Sequence, residues 1–344
     1  MPQTVDTSHA ASLPVSVTEE YINENGHNQR IDNFFLKRFK NVPKSHLYQL
    51  IRSGQVRVNG RRIGASYRLQ SGDLLRIPPI RVVDNKVQRQ SVIAPNQFFA
   101  FTILYEDDAL LVIDKPGGMA VHGGSGVSFG VIEQLRAQNP SWKFLELVHR
   151  LDRETSGVLL LAKKRSALVE LHRQIREGLI EKHYLAMVKG TWRNARQHVK
   201  LALDKFLTAT GERRVAVAEN RGDGDKSKYA HTIFTLRKVW KSYSLLDAEI
   251  KTGRTHQIRV HLAHLGYPII GDDKYGDFEL NKQLAKVGMS SSKKLSRMFL
   301  HAHSLQFIHP LSGEPMELQS SLSNDLQSFV DGLNYIVVPE KQHN

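Results

Sequence analysis

Short apolar segments with the length of β-strands dominate the chain from Phe99 onward. A hairpin pattern covers 99–115 and runs into a Gly/Pro loop at 116–118. The other predicted strands are 144–148, 158–162, 184–188, 228–236, 244–250 and 305–308, and the predicted helices are 130–138, 166–177, 257–265 and 323–333. The helices are fewer than the strands and do not alternate with them, as a doubly wound sheet would require. We therefore predict an α+β fold around a mostly antiparallel sheet.

A different pattern precedes these strands. Apolar residues at helical spacing predict two short helices, one over 31–39 and one over 47–51, separated by Pro43. The Asn59-Gly60 pair lies between two alternating segments, which is a strong signal for a tight hairpin. A last strand is predicted over 72–77. The pattern indicates a small α/β unit of two helices followed by a sheet.

Local composition predicts where the two folded units begin and end. Residues 1–20 contain no Lys or Arg and several Pro, Ser and Thr residues, so we predict a disordered tail that is neither a secretory signal nor a transit peptide. Residues 81–97 are polar and weakly patterned, which is typical of a linker. We therefore expect the small unit over 21–80 and a large domain over 98–335.

The chain carries a large excess of positive charge. Its 344 residues include 48 Lys and Arg against 34 Asp and Glu, a net charge of +14. Such an excess favours a polyanionic partner, more often nucleic acid than a membrane surface. There are no cysteines, which excludes disulfides and thiolate zinc sites. No stretch approaches the roughly 20 apolar residues that span a bilayer, so we expect a cytoplasmic protein without membrane contact.

The segment His149–Gly157 is the strongest candidate for chemistry. It is polar, lies between two apolar strand patterns, and places Asp152 between Arg150 and Arg153. A carboxylate held at a strand end is costly unless it is paired and used. The residues alone leave open a second interpretation, an exposed ladder of alternating charges without a function.

Three separated motifs favour the first interpretation by resemblance. The segment Val148–Leu161, the Lys-x-Tyr-x-Ala pattern in Glu181–Ala186 and the Gly-Arg-Thr-His-Gln-Ile-Arg-Val-His pattern in Thr252–His261 are the motifs concerned. They resemble the signatures of the RluA-type RNA pseudouridine synthases. With Gly271–Gly276, the resemblance extends over nearly all of residues 99–310. Each motif is moderately specific alone, but their order and spacing are very specific together.

The resemblance implies a reaction and a substrate. The family isomerises specific uridines to pseudouridine, here those of large-subunit (23S) ribosomal RNA, and it has a mostly antiparallel catalytic domain. The glycosidic bond breaks, the uracil turns, and the base rejoins the sugar through C5. No redox change or outside reactant is needed, so we expect no cofactor and no metal. The essential Asp of the family falls on Asp152, and whether it attacks C1′ or removes the C2′ proton stays open.

Four further residues are expected around Asp152. By their match to the third motif, Arg259 would be the cation that keeps Asp152 ionised, and Ile258 would line an apolar wall beside the base. Tyr184 would stack on the uracil, although core packing is the plain alternative for a tyrosine in a strand. Arg150 matches the residue that assists flipping of the target base, and a simple phosphate contact is the open alternative.

Residues 30–77 are similar to the S4 RNA-binding domain, most clearly in Val56–Gly60 and Ser71–Asp73. This resemblance implies that the second helix and the hairpin face structured RNA, here 23S rRNA, mainly through phosphates and helix shape. The predicted RNA-binding residues are Lys44, Arg52, Arg57, Arg61, Arg62, Arg254 and His256. A solvated basic face on a structural unit is the alternative. We expect no DNA partner and a monomeric protein.

Other functions remain open at this point. A non-catalytic ribosome-assembly factor would bind rRNA and give no product, and a sugar N-glycosidase would release free uracil. The histidines His256, His261 and His264 lack the spacing of a His-Glu-x-x-His metal site. The glycine-rich loop His122–Gly126 is expected to approach the RNA backbone or the active-site turn, because no nucleophile elbow of a hydrolase is present.

Overall fold

The structure is a computed structural model, and it describes residues 16–39, 42–80, 98–123, 129–209, 211–218, 227–286 and 294–333. The predicted linker, residues 1–15 of the predicted tail, and residues 124–126 of the glycine-rich loop lie outside these ranges. No helix within these ranges is long and apolar enough to cross a membrane.

The N-terminal unit is a small antiparallel sheet packed with two helices. Its elements are β1 (Thr18–Tyr21), a 3₁₀ turn (Glu24–Gly26), α1 (Ile31–Arg38), α2 (Lys44–Arg52), β2 (Arg57–Val58), β3 (Arg61–Arg62) and β4 (Leu74–Ile77). The strand order is β1-β4-β2-β3. Apolar side chains of both helices and the sheet, among them Phe35, Leu47 and Leu75, form its buried core. The predicted pattern of two helices followed by a sheet is confirmed.

Two details of this unit bear on the predictions. Asn59 and Gly60 have φ values of +50° and +74°, which a two-residue hairpin turn between β2 and β3 requires. The tail predicted over 1–20 is wrong at its end, because Thr18–Tyr21 pairs with β4. An exposed edge strand needs backbone hydrogen bonds on one side only, so its polar composition resembles that of a disordered tail.

The second unit is an eleven-stranded sheet with helices on both faces. Its elements are β5 (Thr102–Glu106), β6 (Leu110–Lys115), α3 (Val131–Gln138), β7 (Glu146–Leu147), β8 (Ser156–Ala162), α4 (Arg165–Glu177), β9 (Glu181–Lys189), β10 (Arg196–Leu207), β11 (Arg213–Val217), β12 (Lys228–Val239), β13 (Tyr243–Ile250), α5 (Gln257–His264), α6 (Phe278–Lys286), β14 (Leu300–Ile308), β15 (Pro315–Gln319) and α7 (Asn324–Asp331). The strand order is β11-β10-β12-β13-β9-β14-β8-β6-β5, with β15 paired to β14 and β7 to β8. Only β8 and β14 run parallel among the described pairs. The predicted α+β fold with a mostly antiparallel sheet is confirmed.

Strand β8 lies between two cores, and every one of its residues is buried. Leu159 packs into a core that includes residues of α3 and α5, whereas Leu160 packs into a second core with α4. Successive side chains of a strand point to opposite faces, so a continuous apolar run fits a strand that is covered on both sides. The polar turn before β8 therefore starts from a rigid central strand.

Several elements differ from the predictions. The sequence patterns did not indicate β10, β11 or α6. Strand β10 mixes charges such as Lys200 and Asp204 with apolar residues near one end of the sheet, and α6 buries only Leu284. The strand predicted over 144–148 is reduced to β7, because the chain turns soon after Leu147 toward the segment that carries Asp152.

Candidate active site

The turn between β7 and β8 presents Asp152 beside a buried neighbour. Leu151 belongs to the core, whereas the Asp152 side chain remains 28% exposed. The Thr155 amide donates to the Asp152 carbonyl at 3.2 Å and closes the turn. At Gly157, φ is +108° and a Cβ would lie 2.2 Å from the carbonyl oxygen of Ala302, so only glycine lets β14 approach here. The turn is therefore closed by a backbone hydrogen bond and packed against β14 where β8 begins.

A buried lysine supports the same turn. Lys115 at the end of β6 is fully buried, and its Nζ donates to the carbonyls of Pro116 and Met119 at 2.8 Å. A third bond, at 3.0 Å, goes to the carbonyl of Arg153, the residue after Asp152. Burial lowers the pKa of Lys115 to about 7, while nearby carboxylates act in the opposite direction. Three acceptors match the three hydrogens of an ammonium group and favour its charged form.

The structure brings Arg259 against Asp152, as the third motif leads one to expect. Arg259 lies on α5 with its side chain 3% exposed, and its Nη1 donates to Asp152 Oδ2 at 3.1 Å. Burial alone would lower the pKa of Arg259, but Asp272 and Asp152 outweigh it and raise that pKa. The guanidinium is therefore a permanent positive charge beside the carboxylate.

A second aspartate, which the sequence patterns did not single out, fixes this arginine. Asp272 is fully buried and accepts from both Nε and Nη2 of Arg259 at 2.7 Å. Burial would raise the pKa of Asp272, but bonds from Arg259 and from the amides of Lys274 and Tyr275 bring it below its ordinary value. Asp273 lies 3.2 Å from Nη2 as well. A bidentate pair of this kind sets the plane of the guanidinium that reaches Asp152.

His256, predicted to contact RNA, lies beside Asp152. Its side chain is 15% exposed, and its Nε2 is 3.9 Å from Asp152 Oδ2. The other ring nitrogen, Nδ1, is 2.9 Å from the hydroxyl of Tyr275. The Tyr275 ring in turn lies 5.2 Å from the Arg259 guanidinium. His256 and Tyr275 therefore belong to the surroundings of the candidate catalytic carboxylate.

Tyr184 and Ile258 lie in the apolar core next to this cluster. Tyr184 on β9 is 7% exposed and shares its core with Ile258 and Leu151. Burial raises the pKa of the Tyr184 hydroxyl well above its ordinary value, and the charge of Asp152 adds to the effect. The phenol therefore stays protonated at neutral pH.

The remaining predicted residues are exposed. Arg150 forms no hydrogen bond or ion pair with any residue in the described ranges. Arg254 donates from Nε to the Tyr229 carbonyl at 3.0 Å. The five cations of the N-terminal unit that were predicted to bind RNA, Lys44, Arg52, Arg57, Arg61 and Arg62, are all exposed. These five lie on α2 and the β2–β3 hairpin.

The histidines do not assemble a metal centre in the described ranges, where no cluster of three or more His, Asp or Glu residues could hold an ion. His261 is fully buried and its Nδ1 lies 3.0 Å from the hydroxyl of Thr232. His261 is therefore a core residue of α5.

Comparison with known proteins gives two family matches. Residues 109–264 match the model of the RNA pseudouridylate synthase family, and residues 29–75 match that of the S4 domain. The first range contains Asp152, Tyr184 and Arg259, and the second contains α1, α2 and the β2–β3 hairpin. The two resemblances drawn from sequence motifs are confirmed.

Individual relatives cover nearly the whole chain. The ribosomal large subunit pseudouridine synthase C of Haemophilus influenzae is 45% identical over 318 residues, which are 91% of this chain and 94% of that protein. The protein of the same name from Escherichia coli K12 is 47% identical over 309 residues, 89% and 93% of the two chains. Among solved structures, human RNA pseudouridylate synthase domain containing 1 is similar with a TM-score of 0.55 and 24% identity, covering 71% of this chain and 92% of that one. The last match supports the fold alone.

Proposed function

We propose, since this chain belongs to the RNA pseudouridylate synthase family, that it isomerises uridines of large-subunit ribosomal RNA to pseudouridine. The names of the relatives supply the substrate. The observation that carries the proposal is the ion pair between Asp152 and the buried Arg259, both inside the matched range. A carboxylate that is partly open, yet held by a fixed cation, suits chemistry at a sugar carbon.

The reaction conserves the atoms of the nucleotide. The bond between C1′ and N1 breaks, the uracil turns, and a bond forms between C1′ and C5. C5 loses its proton and N1 gains one. Because no electrons leave or enter and no second reactant is used, the reaction itself requires no cofactor.

We assign the reaction at the sugar to Asp152. An ionised carboxylate can attack C1′ as a nucleophile or accept the proton of C2′, and both routes need the charged form. Arg259 and His256 both face Oδ2, and no described residue donates a hydrogen bond to Oδ1. The free Oδ1 is therefore the atom we place against the ribose.

We assign the base side of the site to Tyr184 and Ile258. A phenol ring can stack on uracil, and an aliphatic side chain beside it excludes water from the separated base. Since the Tyr184 hydroxyl stays protonated, it can donate a hydrogen bond but cannot act as a base at neutral pH. We assign to Arg150, which is exposed at the start of the turn, the filling of the space that the flipped base leaves.

The N-terminal unit would supply affinity for structured rRNA. It matches the S4 domain, and five of its cations are exposed on α2 and the β2–β3 hairpin. Exposed cations bind backbone phosphates without reading sequence. We further propose that 23S rRNA rather than DNA is the partner, and that the protein acts as a monomer in the cytoplasm.

The test is conversion of rRNA by the purified protein. Unmodified 23S rRNA made by transcription is incubated with the full chain, and pseudouridines are mapped along it. The expected result is modification at a few defined uridines and no free uracil. Release of free uracil would instead indicate an N-glycosidase, and binding without product would indicate an assembly factor. Either result would contradict the proposal.

A further inference from the structure

The backbone at His256 adopts a conformation that few non-glycine residues take. Its φ and ψ are +53° and +22°, immediately before the first residue of α5. Strain of this kind persists where the surrounding structure fixes a residue, and it concentrates at functional sites. Here it places the imidazole so that Nε2 faces Oδ2 of Asp152.

The hydrogen bonds around Tyr275 fix the tautomer of His256. The Tyr275 oxygen accepts from the amide of Val215 at 3.0 Å and lies 2.9 Å from His256 Nδ1. The phenolic hydrogen therefore donates to Nδ1, since in the other tautomer it would have no acceptor among the described residues. A neutral ring whose Nδ1 accepts carries its hydrogen on Nε2. Burial lowers the pKa of His256, which keeps the ring neutral.

The resulting donor and acceptor are spaced for one bridging atom. Nε2–H and Oδ2 of Asp152 lie 3.9 Å apart, which is too far for a direct hydrogen bond. Two bonds of about 2.8 Å to one oxygen span about 3.9 to 4 Å when they meet at roughly 90°. A hydroxyl suits this gap, because it accepts from Nε2–H and donates to Oδ2. A phosphate or carbonyl oxygen does not, because it would face the carboxylate without a hydrogen.

We propose that the bridging group is the 2′-hydroxyl of the target ribose, and that His256 thereby makes the site selective for RNA. C2′ adjoins C1′, against which Asp152 Oδ1 is placed, so the 2′-hydroxyl is the sugar hydroxyl nearest to Oδ2. In glycoside hydrolysis, hydrogen bonds to the corresponding 2-hydroxyl strengthen in the transition state. A deoxyribose would leave the His256 donor without this partner and would remove one of the two hydrogen bonds to Asp152 Oδ2, the other being that from Arg259. The assignment rests on the proposed function, because it takes a uridine as the substrate.

Three variants separate this role from a structural one. His256→Asn keeps a residue that tolerates positive φ, but its amide is too short to reach the gap. His256→Gln extends an amide N–H toward the position of Nε2. Tyr275→Phe leaves the imidazole in place and removes only the bond that fixes its tautomer.

The experiment compares two RNAs that differ at one atom. Each contains the uridine that the wild-type protein converts, and one of them carries 2′-deoxyuridine at that position. Single-turnover kinetics give the affinity for the uridine RNA. Inhibition of that reaction gives the affinity for the deoxyuridine RNA, so the deoxyuridine RNA need not react. Phosphate contacts are the same in both RNAs and cancel in the ratio.

We expect the wild-type protein to bind the uridine RNA about tenfold more tightly than the deoxyuridine RNA, as one buried hydrogen-bonded group implies. The preference should fall to about twofold or less in His256→Asn, recover in part in His256→Gln, and be intermediate in Tyr275→Phe. A preference that is unchanged in both His256→Asn and Tyr275→Phe would overturn the assignment, whatever their stability. Equal binding of both RNAs by an active wild-type protein would refute this assignment alone. A wild-type protein that converts no rRNA would refute the proposed function, and the assignment with it.

Discussion

The cations on α2 and the β2–β3 hairpin and those around Asp152 differ in their surroundings. Lys44 and Arg61 are exposed, and neither is paired with a carboxylate of a described residue. Arg259 is 3% exposed and contacts three carboxylates, and Lys115 is fully buried against three carbonyls. The exposed cations can therefore bind a partner, whereas Arg259 and Lys115 already bind carboxylates and carbonyls of the protein itself.

The difference separates two uses of positive charge. An exposed cation gains affinity for phosphates and adds little to the stability of the fold. A buried cation must be paired, so its loss leaves a buried partner unsatisfied and costs stability as well as activity. We expect substitutions in the two groups to have different effects, and the following experiments test that expectation.

Among substitutions of these cations, the largest effect is expected for Arg259→Met. The change leaves the buried Asp272 without its bidentate partner and should lower the free energy of unfolding by about 3–5 kcal/mol. Loss of the cation beside Asp152 should slow conversion by about 100- to 1,000-fold. Urea unfolding and single-turnover kinetics measure the two effects. Arg259→Lys, which keeps one charge but not the fork, should lie in between. If Arg259→Met unfolded at the same urea concentration as the wild type, the buried cation would add no more to stability than an exposed one, contrary to our expectation.

A matched pair of lysine substitutions compares the two groups directly. Lys115→Met removes the buried donor to three backbone carbonyls and should lower the free energy of unfolding by about 2–3 kcal/mol. Lys44→Met makes the same chemical change on the surface and should leave the unfolding midpoint where it is. Thermal unfolding of both variants provides the measurement. Equal midpoints would mean that the buried lysine does not support the turn.

Charges on the N-terminal unit should affect binding alone. Replacing Lys44, Arg52 and Arg61 together by Gln should weaken binding to rRNA about 10- to 100-fold at low salt. It should also reduce the slope of log affinity against log salt by about 2 to 3. The rate at saturating RNA should remain that of the wild type. An unchanged slope would assign these cations to a solvated face without RNA contact.

The smallest effect is expected at Arg150. If its planar guanidinium fills the space of the flipped base, Arg150→Met should slow conversion by roughly tenfold. Arg150→Lys should be equally slow, because an ammonium group does not stack. Affinity for rRNA, measured by filter binding, should change by less than about twofold. Full rescue by Arg150→Lys would favour the simple phosphate contact.

The contacts of the site could be predicted where a sequence motif carries them. The pairing of Asp152 with Arg259 follows from two motifs, although 107 residues separate them. Asp272 and Lys115 were not predicted as supports, because their roles depend on how distant loops meet around a buried charge. The position of His256 beside Asp152 could not be predicted for a local reason: its positive φ turns the ring toward Asp152, and no residue pattern indicates that angle.

The strands also differ in how well their sequences predict them. Strands buried on both faces, such as β8, are evident as apolar runs. The edge strand β1 and the mixed strands β10 and β11 depend on pairing partners that lie elsewhere in the chain. Their sequences therefore resemble those of tails and loops.

The most direct measurement compares Asp152→Asn with the wild type in single-turnover conversion of 23S rRNA, with binding measured in parallel. The substitution keeps the size of the side chain and removes its charge. We expect conversion to fall by about a thousandfold or more, because neither attack on C1′ nor proton removal is open to an amide. Binding should stay within about threefold, since phosphates supply most of the affinity. Conversion by Asp152→Asn at a rate near that of the wild type would contradict the account.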